Sequence, residues 1–137
     1  MVPQRVCDET LAWMRRPRPM VILVVHVNHP AEIDGPVAAA IARLADAGVP
    51  LLSQSVLLRR VNDRVESLAE LCERLVNLRV MPYYLHQLDR VVGAAHFEVP
   101  EETGIELVRQ LRARLPGYAV PRYVRETVGE PSKRVLA

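Results

Sequence analysis

The stretch MVILVVHV, residues 20–27, is a continuous apolar and largely β-branched run with Pro19 just ahead of it. A half-buried strand would alternate apolar and polar side chains. A run without alternation reads instead as a strand buried on both faces, as in a parallel sheet. Parallel strands need crossover connections, usually helical, and the sequence downstream supplies one. In PVAAAIARLADAG, residues 36–48, Val37, Ile41, Leu44 and Ala45 recur at helical spacing, and Gly48 is a stop signal.

The same pattern repeats outward. VPLLSQSVLL (49–58) reads as a second strand, and DRVESLAELCERLVNL (63–78) places Val65, Leu68, Leu71, Leu75 and Leu78 on one helical face. RVMPYYLH (79–86) reads as a third strand, with Pro82 marking an end or an irregularity. PEETGIELVRQLRARL (100–115) opens on proline and acidic side chains and closes on arginines, which suits a helix dipole. Upstream, DETLAWM (8–14) reads as the end of another helix, capped by Asp8. The order is α-β-α-β-α-β-α followed by a tail at 117–137. Strands alternating with amphipathic helices predict βαβ units and a parallel sheet. No linker or repeat divides the chain, so residues 1–137 form one unit. Three strands make a thin sheet with exposed edges, and the pattern reads as part of a larger architecture.

Half of the chain is apolar and a quarter charged, a globular composition. A net charge of +2 with scattered arginines argues against a nucleic-acid surface. The longest apolar run is far short of the ~20 residues of a membrane span, and no secretory signal is visible. Cys7 and Cys72 fit no metal spacing. The expectation is a cytoplasmic protein with incidental thiols and no metal site of its own.

Ligand sites in parallel α/β folds lie at the carboxyl ends of the strands, and polar residues gather there. Strand one leads to His26, Asn28, His29 and Glu32. Strand two carries Ser53, Gln54 and Ser55 and leads to Asn62 and Asp63. Strand three leads through Tyr83, Tyr84 and His86 to GAAHFE, residues 93–98. Singly, each has an ordinary reading: His26 as a hydrogen-bonded core histidine, Asn62 or Asp63 as a helix cap, and GAAHFE as a loop. Three successive strands turning polar at one end is the pattern of a pocket. One residue stands apart. Of 18 basic side chains Lys133 is the only lysine. Either it is a solvated residue left by an arginine-rich composition, or it does what a guanidinium cannot: lose a proton and attack a carbonyl.

The segments HVNHPAEID, AGVPLLSQSVLLRRVND, RVMPYYLHQLDRVVGAAHFEVP and GYAVPRYVRETVGEPSK together resemble the C-terminal half of the lysine 2,3-aminomutase family. The resemblance is nearest to the branch that makes β-lysine for elongation factor P. It implies an α/β fold, the C-terminal part of a partial TIM-type radical S-adenosylmethionine barrel with an extended C-terminal tail. It implies pyridoxal phosphate, S-adenosylmethionine and a [4Fe-4S] cluster as cofactors, and L-lysine as substrate, its amino group moving from C2 to C3. Lys133 would be the Schiff-base amine. Asp63 and Glu126 would hold the substrate's distal ammonium, and His26, Asn28 and Gln54 would line the cofactor site. Elongation factor P and its lysyl ligase would be functional partners, and the intact enzyme a homo-oligomer.

The chain departs from that family at several points. It has Ser53 where asparagine is usual, Arg60 where glycine is usual, and Glu126 where aspartate is usual. The CxxxCxxC cluster motif is absent, as are the arginines expected to grip the pyridoxal phosphate. The chain is therefore expected to be a fragment or truncated frame, inactive alone and marginally stable. The competing readings are a non-catalytic remnant or binding module, and an aminomutase serving free-lysine metabolism.

Overall fold

The computed structural model describes residues 1–16, 19–89 and 93–137. Among these residues four helices, α1 (Asp8–Met14), α2 (Gly35–Asp46), α3 (Val65–Asn77) and α4 (Glu101–Arg114), accompany five strands. These are β1 (Leu23–His26), β2 (Leu51–Val56), β3 (Met81–His86), β4 (Arg122–Arg125) and β5 (Arg134–Val135), in spatial order 1-2-3-4-5. The pairs β1–β2, β2–β3 and β3–β4 are parallel; β4–β5 is antiparallel. The parallel α/β architecture expected from the sequence is present.

The helices are where their periodicity places them. Val37, Ala40, Ile41 and Leu44 of α2 are buried against Val25 of β1, Val27 just beyond its end, and Leu51 of β2. The Asp34 carboxylate caps α2 by accepting the Val37 amide at 2.9 Å. Gly48, at φ +81°, supplies the left-handed turn that leads out of it. A second cluster joins Val65 and Leu68 of α3, Leu107, Val108 and Leu111 of α4, and Leu85 and Tyr123 of the sheet. At about 1.5–3 kcal/mol per fully buried large aliphatic side chain, these two clusters carry most of the fold's favourable energy.

Three expectations are corrected. The tail is not simply extended: it supplies the fourth parallel strand and then turns back as β5. Cys7, not Asp8, occupies the N-cap of α1, while the Asp8 carboxylate pairs with Arg43 at 2.8 Å. And the apolar run of β1 is covered on one face only. Val25 and Val27 are buried under α2, whereas Ile22, Val24 and His26 face outward. The crossovers through α2, α3 and α4 all step in one direction along the order 1-2-3-4. Right-handed crossovers that never reverse direction place their helices on one face, so the opposite face stays open. No helix among the described residues is long and apolar enough to cross a membrane.

Candidate functional site

The open face of the sheet carries the polar groups. Strand pairing aligns His26 with Gln54, Gln54 with Tyr84, and Tyr84 with Arg122, a row across four strands. Nearer the carboxyl ends, Val56 aligns with His86 and His86 with Val124. Between Ser53 and Gln54 the register slips by one residue, so that Pro82 and Tyr84 are partnered on β2 and Tyr83 is not. This is the irregularity expected at Pro82. An extra residue in one strand re-aims its neighbours. Here it lets two consecutive tyrosines stack, ring centroids 3.8 Å apart, with the Tyr83 hydroxyl donating to that of Tyr84 at 2.9 Å.

Lys133 comes to this cluster by way of the β4–β5 hairpin. Antiparallel pairing of Arg125 with Arg134 brings the residue before β5 alongside the one after β4. The Lys133 Nζ donates to the Glu126 carboxylate at 2.6 Å, and lies 5.6 Å from the centre of the Tyr84 ring, within cation–π range. The Lys133 side chain is 32% exposed, so the lone lysine is not a freely solvated tail residue. A cleft of about 230 Å³ opens at the pair, lined by Glu126, Thr127, Glu130, Pro131, Ser132 and Lys133.

Charge in the cluster follows from these contacts. The hydrogen bond from Lys133 holds the Glu126 carboxyl below its ordinary range, and the same bond raises the Lys133 amine above its own. The bond to Tyr84 raises the Tyr83 phenol. His86 is lowered, first by burial and then by the charge of Lys133, with Glu126 and Asp89 opposing. Its Nε2 stands 3.3 Å from the Gln54 side-chain oxygen.

The structure thus brings together Lys133, Glu126, Gln54 and, along the register, His26. His26 is exposed on the open face rather than set in the core. Asn28 and Asp63 have other engagements. The Asn28 side-chain oxygen accepts the Val56 amide at 2.9 Å and ties β1 to β2. The Asp63 carboxylate accepts the Arg60 amide at 3.0 Å in the loop after β2. Asp63 and Glu126 both lie at the carboxyl end of the sheet, on β2 and β4 connections two strands apart. Asn62, read from sequence as a possible cap, does not cap α3, whose N-cap is Arg64. Its amide nitrogen donates to the Asn28 and Val56 carbonyls, both at 2.8 Å, and its oxygen accepts the Leu58 amide at 2.8 Å. His29 and Glu32 form a capping box around the turn Pro30–Glu32. The tyrosine pair, His86 and Arg122 are the members to which sequence reasoning gave no role; the signal of the first three was the aromatic and polar run YYLH on a strand.

The residues present suit part of a flat aromatic aldehyde such as pyridoxal phosphate: a primary amine beside an aromatic wall. They do not suit an iron–sulfur cluster. The chain has two cysteines, one buried and one exposed, and no group of three or more metal-binding side chains exists among the described residues.

No protein-family profile matches the chain. Individual relatives do. It is 44% identical over 136 residues to the L-lysine 2,3-aminomutase of Escherichia coli K12, covering 99% of this chain and 40% of that protein. To the L-lysine 2,3-aminomutase of Haemophilus influenzae it is 40% identical over 137 residues, covering 100% of the chain and 40% of the relative. To that of Clostridium subterminale it is 44% identical over 133 residues, or 97% and 32%. Among solved structures, a radical SAM methyltransferase from Sphaerobacter thermophilus superposes with a TM-score of 0.63 at 22% identity, over 86% of this chain and 38% of that one. That likeness speaks to fold alone. The chain spans about two fifths of the length of its E. coli and H. influenzae relatives. By sequence it is similar to a portion of the lysine 2,3-aminomutases along essentially its whole length, on a fold shared with part of a radical SAM enzyme.

Proposed function

We propose that this chain is the lysine-handling portion of an L-lysine 2,3-aminomutase, with Lys133 as the amine that takes the cofactor. The observation that carries this reading is the placement of the only lysine. It lies half-buried, between Glu126 and the Tyr84 ring, at the carboxyl end of a parallel sheet, where α/β enzymes bind their ligands. Pyridoxal phosphate, when bound, supplies an aldehyde for capturing amines and a conjugated ring that spreads charge. The protein's part is to hold and orient. Lys133 presents its amine, and Tyr84 walls one side of it. Glu126 and Asp63 offer carboxylates to the distal ammonium of the substrate through charge-assisted hydrogen bonds. His26, Gln54 and His86 line the open face beside them. S-adenosylmethionine and a [4Fe-4S] cluster belong to the proposed whole enzyme, with cluster ligands outside this chain. The 137-residue chain is therefore inactive alone in radical chemistry.

The test is borohydride reduction of the chain mixed with pyridoxal phosphate, followed by peptide mapping. The chain offers two amines, Lys133 and the α-amine of Met1. A pyridoxyl label on Lys133 supports the assignment; a label confined to Met1 overturns it.

The product proposed is β-lysine for attachment to elongation factor P by a partner ligase. Glu126 in place of aspartate, and the segment GEPSK around Lys133, favour that branch over free-lysine metabolism. The mass of elongation factor P from a strain lacking the gene decides: retention of the β-lysyl addition would leave the metabolic role as the better reading. One observation favours a second class of function, a binding module without radical chemistry. Two cysteines far apart in the sequence cannot make a three-thiolate set. Genomic sequence upstream of Met1 separates the two, since an in-frame CxxxCxxC would favour the enzyme and a stop codon the module.

A further inference from the structure

Glu126 faces a conflict that the proposed function does not resolve. It is assigned to the distal ammonium of the substrate, yet in the folded chain it already holds an alkylammonium, the Nζ of Lys133 at 2.6 Å. The hairpin enforces this. Val124 pairs with Val135 and Arg125 with Arg134, while backbone bonds from Leu136 to the Tyr123 carbonyl and from Tyr123 to the Ala137 carbonyl, both 2.8 Å, fix the returning strand. Lys133 is thereby held beside Glu126, with the Tyr84 ring on its other side. Lys133 engages one oxygen of the Glu126 carboxylate, and a second ammonium brought to the other oxygen would stand close to the first, where two like charges repel.

We infer that Glu126 is a shared ammonium seat, occupied by Lys133 in the chain as it stands and released to the ammonium of incoming lysine only when Lys133 has been captured elsewhere. The inference rests on the proposed function for the identity of the second occupant. Its chemical content is independent of any cofactor: Glu126 is a positioning residue that stores Lys133 protonated. The groups facing Lys133 are Glu126 at the end of β4 and Tyr83, Tyr84 and His86 on β3. Glu126 raises the amine most, the two tyrosines raise it less, and His86, when charged, opposes them. Only a neutral amine attacks a carbonyl, so the seat and the reactivity of Lys133 are tied together.

Trace acetylation with acetic anhydride measures this directly. Lys133 gives its proton to solvent, Nζ attacks the anhydride carbonyl, and acetate leaves. Met1 carries the second amine and serves as an internal reference. The Glu126→Gln variant should move the midpoint of Lys133 acetylation to lower pH, and each unit of movement raises the Lys133-to-Met1 ratio below the midpoint about tenfold. Glu73→Gln, the same charge change on the exposed face of α3 and outside the Lys133 cleft, should leave it in place, and amide spectra should show both variants folded. An unmoved midpoint in Glu126→Gln, or an equal shift in Glu73→Gln, overturns the inference. A second arm tests the sharing. Pentylammonium chloride, compared with sodium chloride at equal ionic strength, should shift the Glu126 carboxyl carbon resonance in the acetylated chain and not in the untreated one. A shift in both, or in neither, overturns it as well. Neither arm uses pyridoxal phosphate. A chain that traps the cofactor at Lys133 without this dependence on Glu126 loses only the shared seat, and the converse result loses only the aminomutase reading.

Discussion

Gly104 on α4 lies directly against the ring of Tyr123 on β4, with no room between them for even a methyl group. Tyr123 is fully buried, and its hydroxyl donates to the Gln87 side-chain oxygen, while the Gln87 amide donates to the Val99 carbonyl at 2.8 Å. The glycine is what lets α4 come close enough to seal this network. Gly104→Ala should therefore destabilise the chain by about 1–3 kcal/mol, the usual cost of overpacking. Tyr123→Phe should cost about 1–3 kcal/mol by orphaning a buried Gln87 oxygen. Urea unfolding midpoints at unchanged slope check both. The double variant should be less than additive, because the substituted ring lacks the hydroxyl oxygen that crowds the glycine.

Arg60 adopts φ +66°, a left-handed conformation that costs an L-residue about 1–2 kcal/mol. The glycine usual at this position in the resembled family has no such penalty. Arg60→Gly should stabilise the chain by about 1 kcal/mol, less than the full strain because glycine also loosens the unfolded state. A lower unfolding midpoint in the variant would contradict this.

Asn62 is buried and bonded three ways, to the Asn28 and Val56 carbonyls and the Leu58 amide. Asn62→Ala removes all three at once. The expected loss is about 2–4 kcal/mol, more than a single net hydrogen bond because two carbonyls lose a buried donor. Asn62→Asp keeps the acceptor and removes the donors, so it should also destabilise. Amide exchange should then rise at the ends of both β1 and β2.

The hairpin carrying Lys133 should have a pH window. Glu126 is lowered by its bond to Lys133, so its contribution is present above the ordinary carboxylate value of about 4.3 and is lost as pH falls through the lowered one. Lys133 is raised, so its contribution is complete below the ordinary lysine value of about 10.4 and is lost as pH rises through the raised one. Exchange protection of the β5 amides, corrected for intrinsic rates, should be flat through neutral pH and fall at both extremes. Loss of protection near neutrality would count against the pair as the hairpin's clasp.

The two thiols should react unequally. Cys72 is buried in α3, and burial pushes its thiol up to about 12. Cys7 is exposed, and its bond with Thr10 lowers it. A thiolate-directed alkylating reagent at neutral pH should label Cys7 alone in the native chain and both on unfolding, as mass spectrometry of the peptides will show.

The first three strands were legible as apolar runs set between helices, and α2, α3 and α4 because each is long enough for its helical period to show. Leu44 or Leu75 at helical spacing can only mean a buried face. The last two strands were not legible. Arg122–Arg125 is short and flanked by charge, and Arg134–Val135 has two residues, so both exist only because β3 and then β4 offer an edge. Asn62 looks like a cap because the local signal of an asparagine before a helix is the same whether it bonds forward or back across the sheet. His26 looks like a core residue because a sequence shows that a run is apolar, not which of its faces a helix reaches. Lys133 was conspicuous by its rarity, whereas its partnership with Glu126 depends on the antiparallel return of β5, which no local pattern announces.

That return also blunts one side of the sheet. There β5 is two residues long and tied down by backbone bonds between Leu136, Ala137 and Tyr123, too short to template another strand. The turn that delivers Lys133 to Glu126 therefore also guards this edge against strand-to-strand association.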